Sequence, residues 1–319
     1  MNGKMTRQAR KVVVIGAGSV GTTYIYALIH TGLAGEIVLI DLDEKKVRGE
    51  VMDLEHGLAF VQPVTIRPGD YSDCADAGLI VITAGAKQVP GQSRLELIQR
   101  NADIVRSICS KIKESGSNGV LLVVANPVDA LTQVALRQLD WPRERVIGSG
   151  TVLDSARFRS MLSRHCGIDT RNVHAYILGE HGDSEVAAWS LTHIAGVRMK
   201  EYCAICQGCD SIRTHKEIAE RVRNSAYHII DYKGSTYYAI ALSMTRITGA
   251  ILRNEHSILT VSLLLQGEYE IDDICLSVPC VVGQAGVERI ITAPLYDDEH
   301  AALKASAEML RKTLRNIRI

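Results

Sequence analysis

Several short segments of this sequence bring chemically capable side chains together: Gln88-Val89-Pro90-Gly91-Gln92-Ser93-Arg94, Leu153-Asp154-Ser155-Ala156-Arg157-Phe158-Arg159 and Gly179-Glu180-His181-Gly182-Asp183. An imidazole exchanges protons near neutral pH, and a guanidinium can clasp a carboxylate at two points. Each residue also has a plainer reading. Asp154 and Arg157 near a helix start could be a cap and an ordinary surface pair. Arg94 could be a solvated charge on the first turn of its helix, and His181 is one of 10 histidines. A further segment, Gly16-Ala17-Gly18-Ser19-Val20-Gly21, follows an apolar run directly and opens a helical stretch. In that context Gly16 permits a tight turn, Gly18 lets backbone approach a pyrophosphate, and Gly21 allows close helix-to-strand packing. The helix N-terminus then offers N–H groups to the anion. Asp41 ends the next strand, where a carboxylate accepts hydrogen bonds from ribose hydroxyls and repels a 2′-phosphate, favouring NAD over NADP. Asn126-Pro127, at the carboxyl end of another strand, falls where ligands bind in such sheets, although Asn-Pro alone also marks a simple turn.

The elements that must position these residues are legible as runs and periods. Val12 to Ile15, Ile37 to Asp41, Val64 to Arg67, Leu79 to Thr83, Val120 to Val124 and Arg145 to Ile147 are short apolar runs that suit buried parallel strands. Leu95, Ile98, Ala102, Val105, Ile108 or Cys109, and Ile112 recur at helical steps before a stop at Gly116. This alternation predicts an α/β fold, a doubly wound parallel sheet of the Rossmann kind over residues 1–150. From 151 to 319 the rhythm changes to a helix at Ser155 to His165, strand candidates around 173–178 and 268–282, a charged helix near 214–230, and a last helix carrying Ala307, Leu310, Leu314 and Ile317. That mixture predicts a second, α+β substrate domain packed tightly on the first.

Composition narrows the function classes. In 319 residues, 36 Lys and Arg balance 36 Asp and Glu, which argues against a nucleic-acid binder. No apolar run reaches the 18 or so residues of a membrane span, and no signal-peptide pattern precedes the first strand, so a cytoplasmic location is expected. The 8 cysteines are read as reduced thiols.

Taken together with Asn126-Pro127-Val128-Asp129, the glycine motif and the three segments make the chain resemble the lactate and malate dehydrogenase family over essentially its whole length. The resemblance implies reversible hydride transfer between NADH and the keto carbon of a 2-oxo acid. Reducing a ketone needs a proton for the developing alkoxide, which His181 would supply. Asp154 would fix the imidazole tautomer and stabilise its cation, Arg157 would clasp the substrate carboxylate, and Arg94 would polarise the carbonyl as the Pro90-Gly91 loop closes and excludes water. Asn126 would bond the substrate oxygen, and Thr236 and Ile240 match positions near substrate and nicotinamide. The family also places Val20, Thr83, Ala84, Gly85 and Val124 at the dinucleotide.

Within that resemblance Gln88 selects the substrate. Malate dehydrogenases carry arginine there to pair the second carboxylate of oxaloacetate, and an uncharged amide would leave that carboxylate without a full partner. Pyruvate and L-lactate are expected, with bulkier 2-oxo acids of the hydroxyisocaproate type next. Arg157 and Arg159 lie about 200° apart on a helix, so they serve different sites. Arg159 with His174 matches the pair with which bacterial lactate dehydrogenases bind fructose 1,6-bisphosphate between subunits; the plainer reading is that both only line a contact. The family is usually tetrameric, and only about ten residues precede the first strand, so the long N-terminal arm of vertebrate members is not expected. Cys203, Cys206 and Cys209, followed by His215, depart from the family. Their spacing could ligate zinc, yet steps of three also place cysteines on one helical face, and no metal is expected. A non-catalytic dinucleotide-binding module is the rival class; it gives no reason to keep Arg94, Asp154, Arg157 and His181 together.

Overall fold

A computed structural model describes residues 10–86, 91, 93–205 and 211–317. The first half builds β1 (Lys11–Ile15), α1 (Ser19–Ile29), β2 (Glu36–Ile40), α2 (Glu44–His56), β3 (Thr65–Pro68), β4 (Leu79–Ile82), α3 (Arg94–Glu114), β5 (Val120–Val123), α4 (Val128–Leu139) and β6 (Val146–Gly148). The runs without polar alternation become strands with both faces covered: β1, β4, β5 and β6 are buried throughout. The run at 64–67 is the exception. In β3 only Ile66 is buried, because β3 is the last strand of the sheet and has a neighbour on one side alone.

Helix boundaries follow local chemistry. Ser93 caps α3 by accepting the Glu96 N–H while Glu96 reaches back to the Ser93 N–H, and beyond the helix Gly116 takes φ +72°, a conformation that costs glycine little. The helix expected from Ser155 begins earlier, as α5 (Val152–Cys166). Asp154 therefore lies inside the first turn, where the partial positive charge of the helix end favours a carboxylate, and at 1% exposure it is not a surface residue.

The second half continues with β7 (Val173–His174), β8 (Ile177–Leu178), β9 (Val186–Ala187), β10 (His193–Ile194), β11 (Val197–Arg198), α6 (Met199–Ile205), α7 (Ser211–Lys233), α8 (Tyr238–Leu252), β12 (Ser257–Leu259), β13 (Ser262–Gln266), β14 (Asp272–Ser277), β15 (Cys280–Gly283), β16 (Gly286–Ile290) and α9 (Asp297–Arg315). The strand candidate at 173–178 is thus two short strands, which pair with different partners.

The main sheet runs β14-β13-β6-β5-β4-β1-β2-β3. Its β1 to β6 section is parallel, whereas β13 joins β6, and β14 joins β13, antiparallel. Sheet and core therefore run on past Gly150. One apolar cluster includes Val12, Leu121, Met244, Leu263 and Leu310, drawn from both halves. Across it Tyr24 of α1 and Thr248 of α8, both fully buried, share a 2.6 Å hydrogen bond. Such a pairing avoids the roughly 1–3 kcal/mol cost of an orphaned buried hydroxyl. A smaller cluster of Phe158, Leu162, Ile177, Ile194, Cys203 and Val222 lies under α5 and α7. No disulfide links Cys74, Cys109, Cys166, Cys203, Cys275 and Cys280 among the described residues. No helix is long and apolar enough to cross a membrane among them.

Candidate active site

The turn after β1 carries the glycine motif and is fixed by backbone economy. Gly16 has φ +120°, and a Cβ there would meet the Ala84 N at 2.6 Å. A Cβ on Gly21 would fall 2.1 Å from the Gly16 carbonyl oxygen, so α1 packs on the turn only with glycine. Thr83 donates its hydroxyl to that carbonyl at 2.9 Å, and the Ala84 N–H bonds Ile15 O at 2.9 Å, tying β4 to the turn. Gly18 is different. Apart from its chain neighbours, no atom of the described residues lies within 4 Å of where its Cβ would project, so the fold itself does not demand glycine there. The open space before the N-terminus of α1 fits an anionic group that approaches the backbone closely.

Asp41 stands beside this turn, accepting the Ala17 N–H at 2.7 Å through one oxygen and the Asp43 N–H at 3.1 Å through the other. Those bonds fix the orientation of the carboxylate at the end of β2. Val20 is half-buried, Gly85 lies 3.5 Å from the Ala125 side chain when given a Cβ, and the Val124 N–H bonds Ile82 O at 2.9 Å. These residues together line the carboxyl ends of β1, β2, β4 and β5.

Asn101 joins the dinucleotide end to the chemical end. It is 4% exposed, accepts the Ala86 N–H at 2.8 Å and donates to Asn126 O at 3.0 Å. Sequence reasoning missed it, although the signal was present: Asn101 interrupts the apolar face that Ile98, Ala102 and Val105 trace on α3.

The chemical groups converge on a cavity of about 260 Å³ lined by Asn126, Asp154, Arg157, Glu180, His181 and Arg223, among others. A larger cleft of about 650 Å³, lined by residues such as Gly119, Arg145 and Ile251, carries no comparable constellation. Chemistry, not size, marks the site. One Asp154 oxygen stands 2.6 Å from His181 Nδ1, and the other accepts from the Arg157 guanidinium at 2.6 Å. The plainer reading of Asp154 and Arg157 as a solvent-exposed pair is excluded by this burial. Burial by itself would depress the imidazole, but Asp154 facing it, with Asp129 and Glu185 nearby, raises His181 to about 9. Burial works against the Asp154 charge as well; His181 and Arg157 overcome it and hold the carboxyl below its ordinary value.

A second carboxylate holds the backbone of the same loop. Asp129, in the first turn of α4 and 2% exposed, accepts the His181 N–H at 2.8 Å and the Ser277 hydroxyl at 3.4 Å. Burial pushes its carboxyl up to about 6. The sequence signal was a lone acid among Val128, Ala130 and Leu131 in a helix that is almost wholly buried.

The remaining expected residues are placed less centrally. Gln88 lies outside the described residues, as does the side chain of Arg94, whose backbone opens α3. Thr236 precedes α8 and Ile240 lies in its first turn, half-buried against the core; neither lines the cavity. Arg159 points away from Arg157, with its Nε donating to Ala175 O at 3.1 Å and its guanidinium 5.4 Å from the Tyr176 ring. That carbonyl adjoins His174, which is exposed on β7. Cys206 and Cys209 lie outside the described residues. Cys203 Sγ is 3.9 Å from His215 Nε2, and His215 stacks on Trp189 at 3.7 Å.

Residues 10–148 match the NAD binding domain of lactate/malate dehydrogenases, and residues 151–318 match the alpha/beta C-terminal domain of the same family. The chain belongs to the lactate/malate dehydrogenase family. It is 56% identical over 310 residues to an L-lactate dehydrogenase of Treponema denticola, covering 97% of this chain and 98% of that one. It is 52% identical to an L-lactate dehydrogenase of Acetivibrio thermocellus at the same coverage. Among solved structures it resembles the minor L-lactate dehydrogenase of Enterococcus mundtii in the ligands-bound form, with TM-score 0.95, 43% identity, and 98% of this chain and 99% of that one covered. Like the rest of the family, this chain is an NAD-dependent oxidoreductase acting on small 2-oxo and 2-hydroxy acids.

Proposed function

We propose that the chain interconverts pyruvate and L-lactate, and the observation that carries this reading is the His181–Asp154–Arg157 chain of 2.6 Å contacts on the cavity wall. Held along the glycine turn, a nicotinamide dinucleotide would supply the hydride for reduction and accept it in the reverse direction. The protein supplies everything else. Gly16, Gly18, Val20, Gly21, Asp41, Thr83, Ala84, Gly85, Val124 and Ile240 seat the dinucleotide. Arg157 clasps the substrate carboxylate, pre-oriented by Asp154. His181 Nε2 gives its proton to the carbonyl oxygen during reduction and takes it back during oxidation. The Asp154 carboxylate on Nδ1 keeps that proton on the ring at neutral pH and stabilises the cation.

Asn126 lines the cavity, and by their match to the family Arg94 would polarise the carbonyl while Gln88 and Thr236 would face the substrate. Gln88 is suited to a methyl group and leaves a second carboxylate unpaired, which favours pyruvate over oxaloacetate. The relatives named L-lactate dehydrogenase support the same choice. We further infer that the chain works as a homotetramer and that Arg159 and His174 take fructose 1,6-bisphosphate at a subunit contact, a ligand whose two anionic phosphates suit guanidinium and imidazolium.

The test is oxidation of NADH by the purified chain on pyruvate, oxaloacetate and 2-oxoisocaproate, with and without the bisphosphate. A higher kcat/KM on oxaloacetate overturns the pyruvate reading. A pyruvate saturation curve that does not move on adding the bisphosphate, at several pH values, overturns the effector site.

A further inference from the structure

Nearly every carboxylate on the cavity wall has a partner. Glu180 accepts from the Ser184 hydroxyl, Asp183 accepts from Tyr227 Oη at 2.7 Å, and Asp154 holds His181 and Arg157. Glu185 is the exception. It lines the same cavity at 7% exposure, and its Oε1 has no hydrogen-bond partner among the described residues. The cavity also holds a guanidinium besides Arg157. Arg223, exposed on α7, lines its rim and forms no ion pair among the described residues.

A buried, unpaired carboxylate is costly when charged, so the neutral form is favoured until a cation compensates it. The neighbours pull in both directions: Asp154 from α5 disfavours the charge, while His181 on the same loop, Arg223 from α7 and Arg157 from α5 favour it. Asp129 from α4, Glu180 and Asp183 add negative charge around the loop, and Tyr227 is engaged with Asp183.

We propose that Glu185 and Arg223 form a second substrate-capture element, in which a protonated Glu185 leaves the Arg223 charge available to a 2-oxo acid carboxylate and an ionised Glu185 cancels it. The element acts on capture, while the proton transfer stays with His181. Burial, with Asp154 nearby, pushes the Glu185 carboxyl up to about 8, so the exchange falls just above neutral pH. As pH rises through that value the cavity loses one unit of positive charge, and KM for a monocarboxylate rises about ten-fold beyond the rise that loss of the His181 proton causes.

The proposal rests on the 2-oxo acid reading above. The experiment measures KM and kcat for pyruvate from pH 6.5 to 9.5 with the native chain, Glu185→Gln, Arg223→Gln and Arg223→Lys. Expected is a KM that climbs with two proton dependences in the native chain and one in Glu185→Gln, the two curves converging toward pH 6.5. Arg223→Gln should raise KM about ten-fold at pH 7 with a much smaller change in kcat, and Arg223→Lys should restore most of it. Parallel KM curves for the native chain and Glu185→Gln, or an unchanged KM in Arg223→Gln, overturn the proposal. If Glu185→Gln fails to fold, the Arg223 pair decides. If pyruvate is not turned over, the functional reading fails, and the same comparison on 2-oxoisocaproate still decides this one.

Discussion

Asp129 accepts the backbone N–H of His181 at 2.8 Å, joining the first turn of α4 to the loop that carries the imidazole. The bond fixes the loop while the Asp154 contact fixes the ring, so the imidazole is located from two sides by carboxylates of different helices. Removing the Asp129 carboxyl orphans a backbone donor in a buried place. Asp129→Ala should cost about 1–3 kcal/mol of stability and lower kcat more than it raises KM, whereas Asp129→Asn, which still accepts the bond, should retain most of both. Thermal unfolding and steady-state kinetics on the two variants check this; equal losses in both would show that charge and not the bond matters.

Reduction needs the protonated imidazole, so its rate should fall as pH rises through the His181 value of about 9. In Asp154→Asn the largest of the groups that raise that value is gone, Asp129 and Glu185 remain, and burial still lowers it. The fall should then move below pH 7, and kcat at neutral pH should drop on the order of 10²-fold. The stability sign follows from the same raised value. The pair stabilises the fold fully below the ordinary imidazole value and loses that contribution as pH climbs through about 9, and Asp154→Asn should flatten this part of a stability profile. An unmoved rate profile would place the proton donor elsewhere.

Arg157 donates to Asp154 while lining the cavity, so its guanidinium plane is set before substrate arrives. Lysine keeps the charge and loses the planar two-point clasp. Arg157→Lys should lower kcat/KM for pyruvate on the order of 10²-fold through KM and leave NADH binding within about two-fold, read by fluorescence titration.

The two glycines at the α1 end should separate fold from ligand. A Cβ at Gly21 would fall 2.1 Å from Gly16 O, so Gly21→Ala should destabilise the protein by about 1–3 kcal/mol. A Cβ at Gly18 would meet no atom of the described residues beyond its chain neighbours within 4 Å, so Gly18→Ala should leave the melting temperature near native and weaken NADH on the order of ten-fold. Matching losses of stability in both would mean that the space beside Gly18 is not ligand space.

Gln88→Arg supplies the missing partner for a second carboxylate and should move the kcat/KM ratio toward oxaloacetate. An unchanged ratio would show that Gln88 does not face the substrate side chain.

Much of this was legible in one dimension. The apolar runs gave the parallel strands because burial on both faces removes the need for polar alternation, and the glycine turn with Asp41 gave the dinucleotide end because those residues act within one βαβ unit. Asp154, Arg157 and His181 could be named from a family pattern, but whether they meet depends on folding residues far apart in sequence onto one wall. The plainer surface reading of Asp154 failed because α5 begins at Val152 and turns that residue inward.

The sequence by itself determined the parallel β1 to β6 section of the sheet, the glycine turn and the inventory of chemically capable side chains, since periodicity, glycine spacing and side-chain type are local properties; the antiparallel β13 and β14 joined the sheet only through packing. Tertiary structure alone decided which carboxylates share the His181 environment, that Asp129 holds the His181 backbone, that Asn101 ties Ala86 to Asn126, and that Glu185 is buried with no partner for its Oε1 among the described residues. The reason is physical: proton affinity and charge pairing depend on distance and burial, and both are created only when separate elements pack.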